Sequence, residues 1–323
     1  MTKTAVVLFN LGGPDSLEAV QPFLENLFND PDIFKLPFQK SLARFISKKR
    51  APKVQKEYAL IGGKSPLSMW TEKQRSLLEL SLRNLGFECS VFAAMRYWHP
   101  LTQDVTKAVE QGNYEHIILL PLYPHYSVST TGSSYNEWNR YFKKPDTRQT
   151  LIKSYQTHPA YIDAVNARID ETLSRFDEPI REQVQLVFSA HGTPVSYVKK
   201  GDPYSLQIAE TIKAIMEKRG SSHTPIKSRQ AHHLCFQSKV GPMKWLTPAT
   251  EEKIKELSQA GKKHLLIIPI SFVSDHVETL FELGIEYRHI AEKCGIENYI
   301  VMHGMNDSPL FISALSQLVI ENK

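Results

Sequence analysis

Eight apolar runs of strand length punctuate this chain, and their continuity limits its fold more than any other feature. They span 5–11, 89–95, 117–124, 151–155, 184–189, 233–236, 265–273 and 299–302. Most are unbroken rather than alternating, the pattern of strands covered on both faces. Between them lie helical patterns. Residues 71–85 open with a Thr71/Gln74 capping box, carry Leu77, Leu78 and Leu82 on one face and stop at Gly86. Residues 159–176 repeat the pattern with Ile162, Val165, Ile169, Leu173 and Phe176. The alternation predicts an α/β protein with parallel sheets wound by helices. At 323 residues the chain exceeds the usual size of one hydrophobic core. The polar stretch Asp177-Glu178-Pro179 therefore suits a boundary between two Rossmann-like lobes, 1–176 and 177–323, each a four-stranded parallel sheet flanked by helices. A last helix, 309–320, is placed to pack back on the first lobe. In such folds function gathers at strand carboxyl ends, beside the switch point.

Composition removes several classes of function. The apolar fraction of 41% and charged fraction of 23% are those of a folded globular protein. A formal charge of +5 over this length does not call for a nucleic-acid partner. Cys89, Cys235 and Cys294 are far apart and form no zinc-ligand spacing, which fits a reducing compartment, the cytoplasm. The N-terminus runs straight into the first apolar run, without the features of a signal peptide. No stretch reaches the roughly 20 apolar residues that span a bilayer, so any membrane contact is expected to be peripheral.

Two runs end in side chains suited to acid–base or metal chemistry. The run 184–189 opens into Ser189-Ala190-His191-Gly192-Thr193-Pro194, with Gly201-Asp202-Pro203-Tyr204 beyond it. An imidazole carried from a buried strand into a Gly/Pro turn can act as a base or metal ligand at neutral pH; a hydrogen-bonded structural histidine is the competing reading. The run 265–273 leads to Ser274-Asp275-His276-Val277-Glu278-Thr279-Leu280, where Asp275 and Glu278 fit a capping box. Glu278, Glu282 and Glu286 then recur at i, i+4 and i+8 as an acidic stripe. Like charges so spaced cost roughly 0.2–0.5 kcal/mol per pair, so a divalent cation in transit suits the stripe. A solvated acidic face is the alternative.

Segment 32–53 carries Lys35, Lys40, Arg44, Lys48, Lys49, Arg50 and Lys53, with no acid after Asp32. Leu42, Phe45 and Ile46 share one helical face while Lys40, Arg44 and Lys48 share another. That pattern fits an element facing anionic lipid, or a plain surface helix. Two weaker constellations remain. The hydroxyl-rich stretch 121–134 can hold a carboxylate or phosphate, or simply cap a helix. Arg96-Tyr97-Trp98-His99 can line an aromatic ligand pocket or plug a core edge.

Taken in order, six segments resemble the ferrochelatase family, enzymes that insert ferrous iron into a porphyrin. They are Asn10-Leu11-Gly12-Gly13-Pro14, Ile61-Gly62-Gly63-Lys64-Ser65-Pro66, Ser129-Thr130-Thr131-Gly132-Ser133-Ser134, Ser189-Ala190-His191 with Gly201-Asp202-Pro203-Tyr204, Gln237-Ser238-Lys239-Val240-Gly241-Pro242 with Trp245, and 274–280. The likeness is to the proteobacterial and mitochondrial type without an iron–sulfur cluster, and it implies an active-site cleft between two chelatase-like lobes. By this resemblance His191 matches the catalytic histidine, with His276 and Glu278 as its facing pair. Leu11, Ser65, Arg96, Tyr97, Gln237, Trp245 and Phe272 match substrate-pocket positions. Arg50, Lys53 and Ser238 match groups that meet the propionates, and His191, Glu278, Glu282 and Glu286 match the metal site and its acidic approach. Residues 33–53 become a membrane-facing lip.

The chain departs from the family pattern in places. Thr193 stands where many members have an aliphatic residue. Val128 replaces a cysteine of the iron–sulfur cluster found in animal members, and the last cysteine is Cys294, so no cluster is expected. The expected reaction is exchange of two pyrrole protons of protoporphyrin IX for Fe²⁺, the final step of heme biosynthesis, at the cytoplasmic face of the inner membrane. A chelatase for coproporphyrin III or sirohydrochlorin, and a non-catalytic tetrapyrrole carrier, are the alternatives.

Overall fold

The unbroken apolar runs become the central strands of two all-parallel sheets. The computed structural model describes residues 3–144, 146–220, 230–239 and 243–323, so Val240, Gly241 and Pro242 of the 237–242 motif lie outside it. The first sheet has the order β2-β1-β3-β4, formed by β1 (Thr4–Asn10), β2 (Cys89–Met95), β3 (His116–Pro121) and β4 (Arg148–Leu151). Every residue of β1 and β3 is buried. Each buried aliphatic side chain gains about 1.5–3 kcal/mol from leaving water, so such strands are stable only in the middle of a covered sheet. The helices α1 (Val20–Phe28), α2 (Gln39–Leu60), α3 (Leu67–Asn84), α4 (Thr102–Gln111) and α5 (Ser133–Tyr141) belong to this unit.

The second sheet repeats that order as β6-β5-β7-β8, with β5 (Gln185–His191), β6 (His232–Gln237), β7 (His264–Pro269) and β8 (Asn298–Val301). Its helices are α6 (Pro159–Leu173), α7 (Val195–Lys199), α8 (Tyr204–Gly220), α9 (Thr250–Gln259) and α10 (Tyr287–Lys293). In both units a π-helical segment follows the third strand: Val128–Gly132 after β3 and Glu278–Glu286 after β7. The connectivity therefore repeats, although no repeat is visible in the sequence. In each sheet the strand order reverses between the first and third strands, which puts the switch points at β1/β3 and β5/β7.

Several boundaries differ from the sequence reading. The compact units are 1–155 with 306–323, and 156–305, rather than 1–176 and 177–323. The reason is packing. Helix α6 lies on α8, where Asp163 pairs with Lys218 and Asp170 with the buried Arg219 (2.8 Å), so it joins the second unit although it precedes β5. The terminal helix α11 (Pro309–Glu321) packs on α3, with Ser316 Oγ donating to Ser81 Oγ at 2.8 Å.

Strand β4 forms at Arg148–Leu151 and not at 151–155; Ile152 and Tyr155 are buried just past its end. An edge strand tolerates the polar face that Arg148, Gln149 and Thr150 supply. Helix α3 begins at Leu67, one turn before the expected start, directly after Pro66. Thr71 and Gln74 are therefore buried helix residues, not a capping box. The Thr71 hydroxyl donates to Leu67 O (2.8 Å) and accepts from Asn10 Nδ2 (2.9 Å), while Gln74 Nε2 donates to Asn306 O (2.8 Å).

Helix α2 turns small residues inward. Its buried stripe is Ala43, Ser47, Ala51 and Tyr58, whereas Phe45 is 65% exposed and Phe38, just before the helix, is 90% exposed. Small residues let α2 approach α1 closely, and the larger aromatic side chains are left outside.

Candidate active site

Strand β5 ends on His191 and β7 ends at Pro269, so the loop that carries His276 starts beside His191 at the switch point of the second sheet. The backbone of His191 is held twice. Its N–H donates to Ser271 Oγ (3.0 Å), and its carbonyl accepts from Tyr204 OH (3.0 Å). The Gly201-Asp202-Pro203-Tyr204 segment thus has a structural reason: Asp202 Oδ1 accepts from Tyr204 N at 3.0 Å, setting the start of α8 so that the phenol reaches the end of β5. The His191 ring is fixed as well, with Nδ1 lying 2.6 Å from Gly192 O. A carbonyl oxygen only accepts, so Nδ1 carries a proton, which in the neutral ring leaves Nε2 with the lone pair.

His276 repeats the arrangement. Its Nδ1 lies 3.2 Å from Ser274 O, which again leaves Nε2 as the free lone pair. Among the described residues that buried Nε2 has no hydrogen-bond partner. Burial pushes the imidazole pKa down, against the opposing pull of Glu278 and Asp275, so the ring is held neutral. Both lone pairs face one carboxylate: His191 Nε2 is 3.6 Å from Glu278 Oε1, and His276 Nε2 is 3.9 Å from Glu278 Oε2. Phe272 packs against His276 with ring centroids 4.2 Å apart and meets the His191 ring edge-on at 6.2 Å.

Asp275 does not form the expected capping box with Glu278. Its Oδ1 accepts from Gly304 N (3.0 Å) and from Thr279 Oγ1 (3.1 Å), and it is Thr279 that accepts from His276 N (3.0 Å). The helix that follows is π-helical over Glu278–Glu286, and the acidic stripe is graded along it. Glu286 is exposed, Glu278 is half-buried, and Glu282 is enclosed by donors. Ser238 N (2.9 Å) and Tyr287 OH (2.9 Å) donate to Glu282 Oε1, and Gln237 Nε2 (3.2 Å) donates to Oε2. The Ser238 hydroxyl lies against Glu282 Oε2 and 3.2 Å from Glu278 Oε2. Burial first, and then Glu278, raise the Glu282 pKa. Ser238 itself has a left-handed backbone, φ 63°, maintained by those contacts.

Gln237 is fully buried and bridges elements, its Oε1 accepting from Ser189 Oγ at 2.8 Å. Trp245 packs over Gly192, and Pro194 forms an isolated antiparallel bridge with it. The structure thus brings together His191, Gln237, Ser238, Trp245, Phe272, His276, Glu278 and Glu282 in the second unit.

The remaining residues belong to the first unit. Leu11 follows β1 and is part-buried. Ser65 is buried against Gly13, its N–H donating to Pro14 O (2.7 Å) and its Oγ accepting from Leu67 N (3.2 Å). Arg50 lies over the Phe28 ring at 5.7 Å, and Lys53 is exposed beside Glu57 at 3.7 Å. Arg96 and Tyr97 follow β2 and are buried in an ion-pair network centred on Asp30. Ser271, Tyr204, Tyr287 and Asp30 received no role from sequence reasoning. Of these, Tyr204 stood in a quoted motif and Ser271 in the apolar run 265–273.

Comparison with known proteins places the whole chain in one family. The family profile for ferrochelatase matches residues 3–323. The ferrochelatase of Geotalea uraniireducens is 47% identical over 98% of this chain and 97% of its own length. That of Nostoc punctiforme is 45% identical over 99% of this chain and 82% of its own length. The chain belongs to the ferrochelatase family. Members of that family are lyases that insert iron into a porphyrin in heme synthesis. In fold, SirB from Bacillus subtilis with Fe³⁺ superposes with a TM-score of 0.54 at 15% identity, over 99% of this chain and 95% of that one. At that identity the likeness speaks for the fold, two α/β units of parallel sheets.

Proposed function

We propose that this ferrochelatase-family lyase exchanges the two pyrrole protons of protoporphyrin IX for Fe²⁺ at the His191–Glu278–His276 group. The observation that carries the reading is two imidazoles with their Nδ1 protons tied to main-chain carbonyls and their Nε2 lone pairs turned to one carboxylate. Metallation needs two base equivalents and a donor that ferrous iron will leave, and neutral imidazole with carboxylate supplies both. The His191 side chain is 35% exposed and that of His276 only 10%. His191 and Glu278 therefore meet the macrocycle and take its protons, while neutral His276 stands behind Glu278. The graded row from exposed Glu286 through Glu282 to Glu278 is the approach for iron, whose hard oxygen donors suit an ion in transit. By family likeness Leu11 and Phe272 are apolar positions for the ring, and Arg50, Lys53 and Ser238 are positions for the propionates. Two cations match the two propionates of protoporphyrin IX better than the larger carboxylate sets of coproporphyrin III or sirohydrochlorin.

Fe²⁺ is a substrate in this reading, with no resident cofactor. An iron–sulfur cluster held by cysteine alone takes four thiolates, and the sequence carries three cysteines. The test is anaerobic turnover with enzyme far below substrate, Fe²⁺ and each free-base tetrapyrrole, followed by absorbance. Many turnovers with protoporphyrin IX are expected. Turnover confined to coproporphyrin III or sirohydrochlorin would reassign the substrate, and binding without turnover would make the protein a carrier.

The lip reading extends to location. No helix among the described residues is long and apolar enough to cross a membrane. Exposed Phe38 and Phe45 stand among Lys35, Lys40, Arg44, Lys48 and Lys49, the composition of a peripheral contact with an anionic cytoplasmic leaflet. At about 1 kcal/mol per basic residue near the surface, the double change Lys48→Ala, Lys49→Ala should weaken sedimentation with phosphatidylglycerol vesicles by roughly thirtyfold. Equal binding of the unaltered protein to neutral phosphatidylcholine vesicles would remove the electrostatic part of this reading.

A further inference from the structure

Arg96 and Tyr97 are pocket positions by family likeness, and the structure holds both side chains in one fixed arrangement. The Arg96 side chain is 7% exposed, and its donors are engaged on three sides: Nη2 with Asp30 Oδ1 (2.9 Å), Nη1 with Glu137 Oε1 (3.3 Å) and Nε with Ser133 Oγ (2.8 Å). The Tyr97 hydroxyl donates to Asp30 Oδ2 at 2.7 Å, and the Ser133 hydroxyl donates to the same oxygen. Burial, and then Asp30, push the Tyr97 phenol far above its ordinary pKa, so it acts as a neutral donor.

Asp30 is the centre of this group, its side chain entirely buried. A buried carboxylate is tolerated only when it is paired and its lone pairs are filled, and here an arginine, a phenol, a hydroxyl and a main-chain N–H, Asp32 N at 2.8 Å, do so. The same residue starts the basic lip. Its carbonyl accepts from Phe34 N (2.9 Å) and Ile33 N (3.3 Å), directly before residues 33–53. A second tie follows, Asp32 to Arg140 Nη2 (2.6 Å) and to Asn136 Nδ2 (3.0 Å). One carboxylate thus joins the end of β2, the start of α5 and the root of the lip that carries Arg50 and Lys53.

We propose that Asp30 is a positioning residue for porphyrin binding. It acts through Arg96 and Tyr97 on one side and through the lip on the other, and it touches no reacting atom. The inference rests on the assignment of Arg50, Lys53, Arg96 and Tyr97 to the substrate.

Asp30→Asn keeps the shape but turns an amide N–H₂ towards a set of donors and leaves Arg96 without its main counter-charge. In the full-length protein we expect KM and the Kd for protoporphyrin IX, read by fluorescence, to rise about tenfold or more, with kcat per folded molecule within about threefold. The network belongs to the first unit, whereas His191 and Glu278 are held by Ser271, Tyr204 and Ser238 of the second. Asp170→Asn, which unpairs the buried Arg219 of the second unit, is the structural comparator: it lowers the melting temperature and leaves KM and Kd in place. If Asp30→Asn fails to fold, Ser133→Ala decides, with a Kd increase of about threefold expected from losing one donor. An unchanged Kd in the folded Asp30 variant, an unchanged Kd in Ser133→Ala, or an equal rise in the Asp170 variant would overturn the proposal. Failure of the unaltered protein to turn over would instead count against the chelatase reading, because the Kd comparison needs no turnover.

Discussion

Replacing His191 with alanine should lower iron insertion into protoporphyrin IX by about a hundredfold to ten-thousandfold, the range that a positioned general base supplies. Porphyrin affinity should stay within about threefold, since the ring and propionates are held by other side chains. The change is unusually clean for a strand-end residue. The bonds that anchor this position, Ser271 Oγ to its N–H and Tyr204 OH to its carbonyl, are made by main-chain atoms that alanine retains. Only the imidazole is lost, together with its contact to Gly192 O. The melting temperature should therefore move little while turnover collapses. Turnover within tenfold of the unaltered enzyme, at full porphyrin occupancy, would falsify the assignment of His191 as the base.

Gly192→Ala is expected to be nearly as damaging by a different route. A Cβ at this position would sit 2.8 Å from Gln237 O and 3.3 Å from Trp245 Cε3. The backbone φ lies outside the left-handed region, so the penalty is steric and not conformational. Relief cannot come from a side-chain rotation. Gln237 O is main chain, and it already accepts from Gly192 N at 2.7 Å. Separating β5 from β6 there should cost about 1–3 kcal/mol, the usual range for overpacking. The displaced segment also carries Gly192 O, which orients the His191 ring, and Ser238, which touches Glu278 and Glu282. A fall in kcat of about tenfold or more should therefore accompany the stability loss, since small misplacements of reacting groups are expensive. Calorimetry and turnover on the same preparation check both halves, and a stable variant with unaltered kcat would show that this contact does not set the geometry of His191.

Some of this was legible in the chain because the signal was local. The continuous runs 5–11, 117–124 and 184–189 could only be doubly covered strands, and the parallel α/β architecture followed. His191, His276 and Glu278 stood out because each leaves a buried strand within a few residues, in a turn whose composition fits no ordinary core. Asp30 was invisible by the same logic. Its partners Arg96, Tyr97 and Ser133 lie 66, 67 and 103 residues away. Nothing adjacent marks one aspartate of Asp30-Pro31-Asp32 as buried and the other as a surface partner of Arg140.

Helix α2 and Thr71 show the same division. Helical periodicity groups Leu42, Phe45 and Ile46 on one face without saying what that face meets, and α1 takes the small residues Ala43, Ser47 and Ala51 because they permit closer approach. Thr71 and Gln74 had the spacing of a helix start and were instead enclosed by Asn10 and Asn306. The i, i+4, i+8 spacing of Glu278, Glu282 and Glu286 is legible in the sequence, yet which of them is enclosed depends on Ser238, Gln237 and Tyr287, two of which arrive from the end of β6. The central strands, the sheet type and the residue types at the strand ends are legible in the chain alone, because burial on both faces and turn chemistry are written in neighbouring residues. Only the tertiary structure decided the unit boundary, the tautomers of both histidines and the partners of each carboxylate, because hydrogen bonds and ion pairs are completed by groups that folding brings from distant parts of the chain.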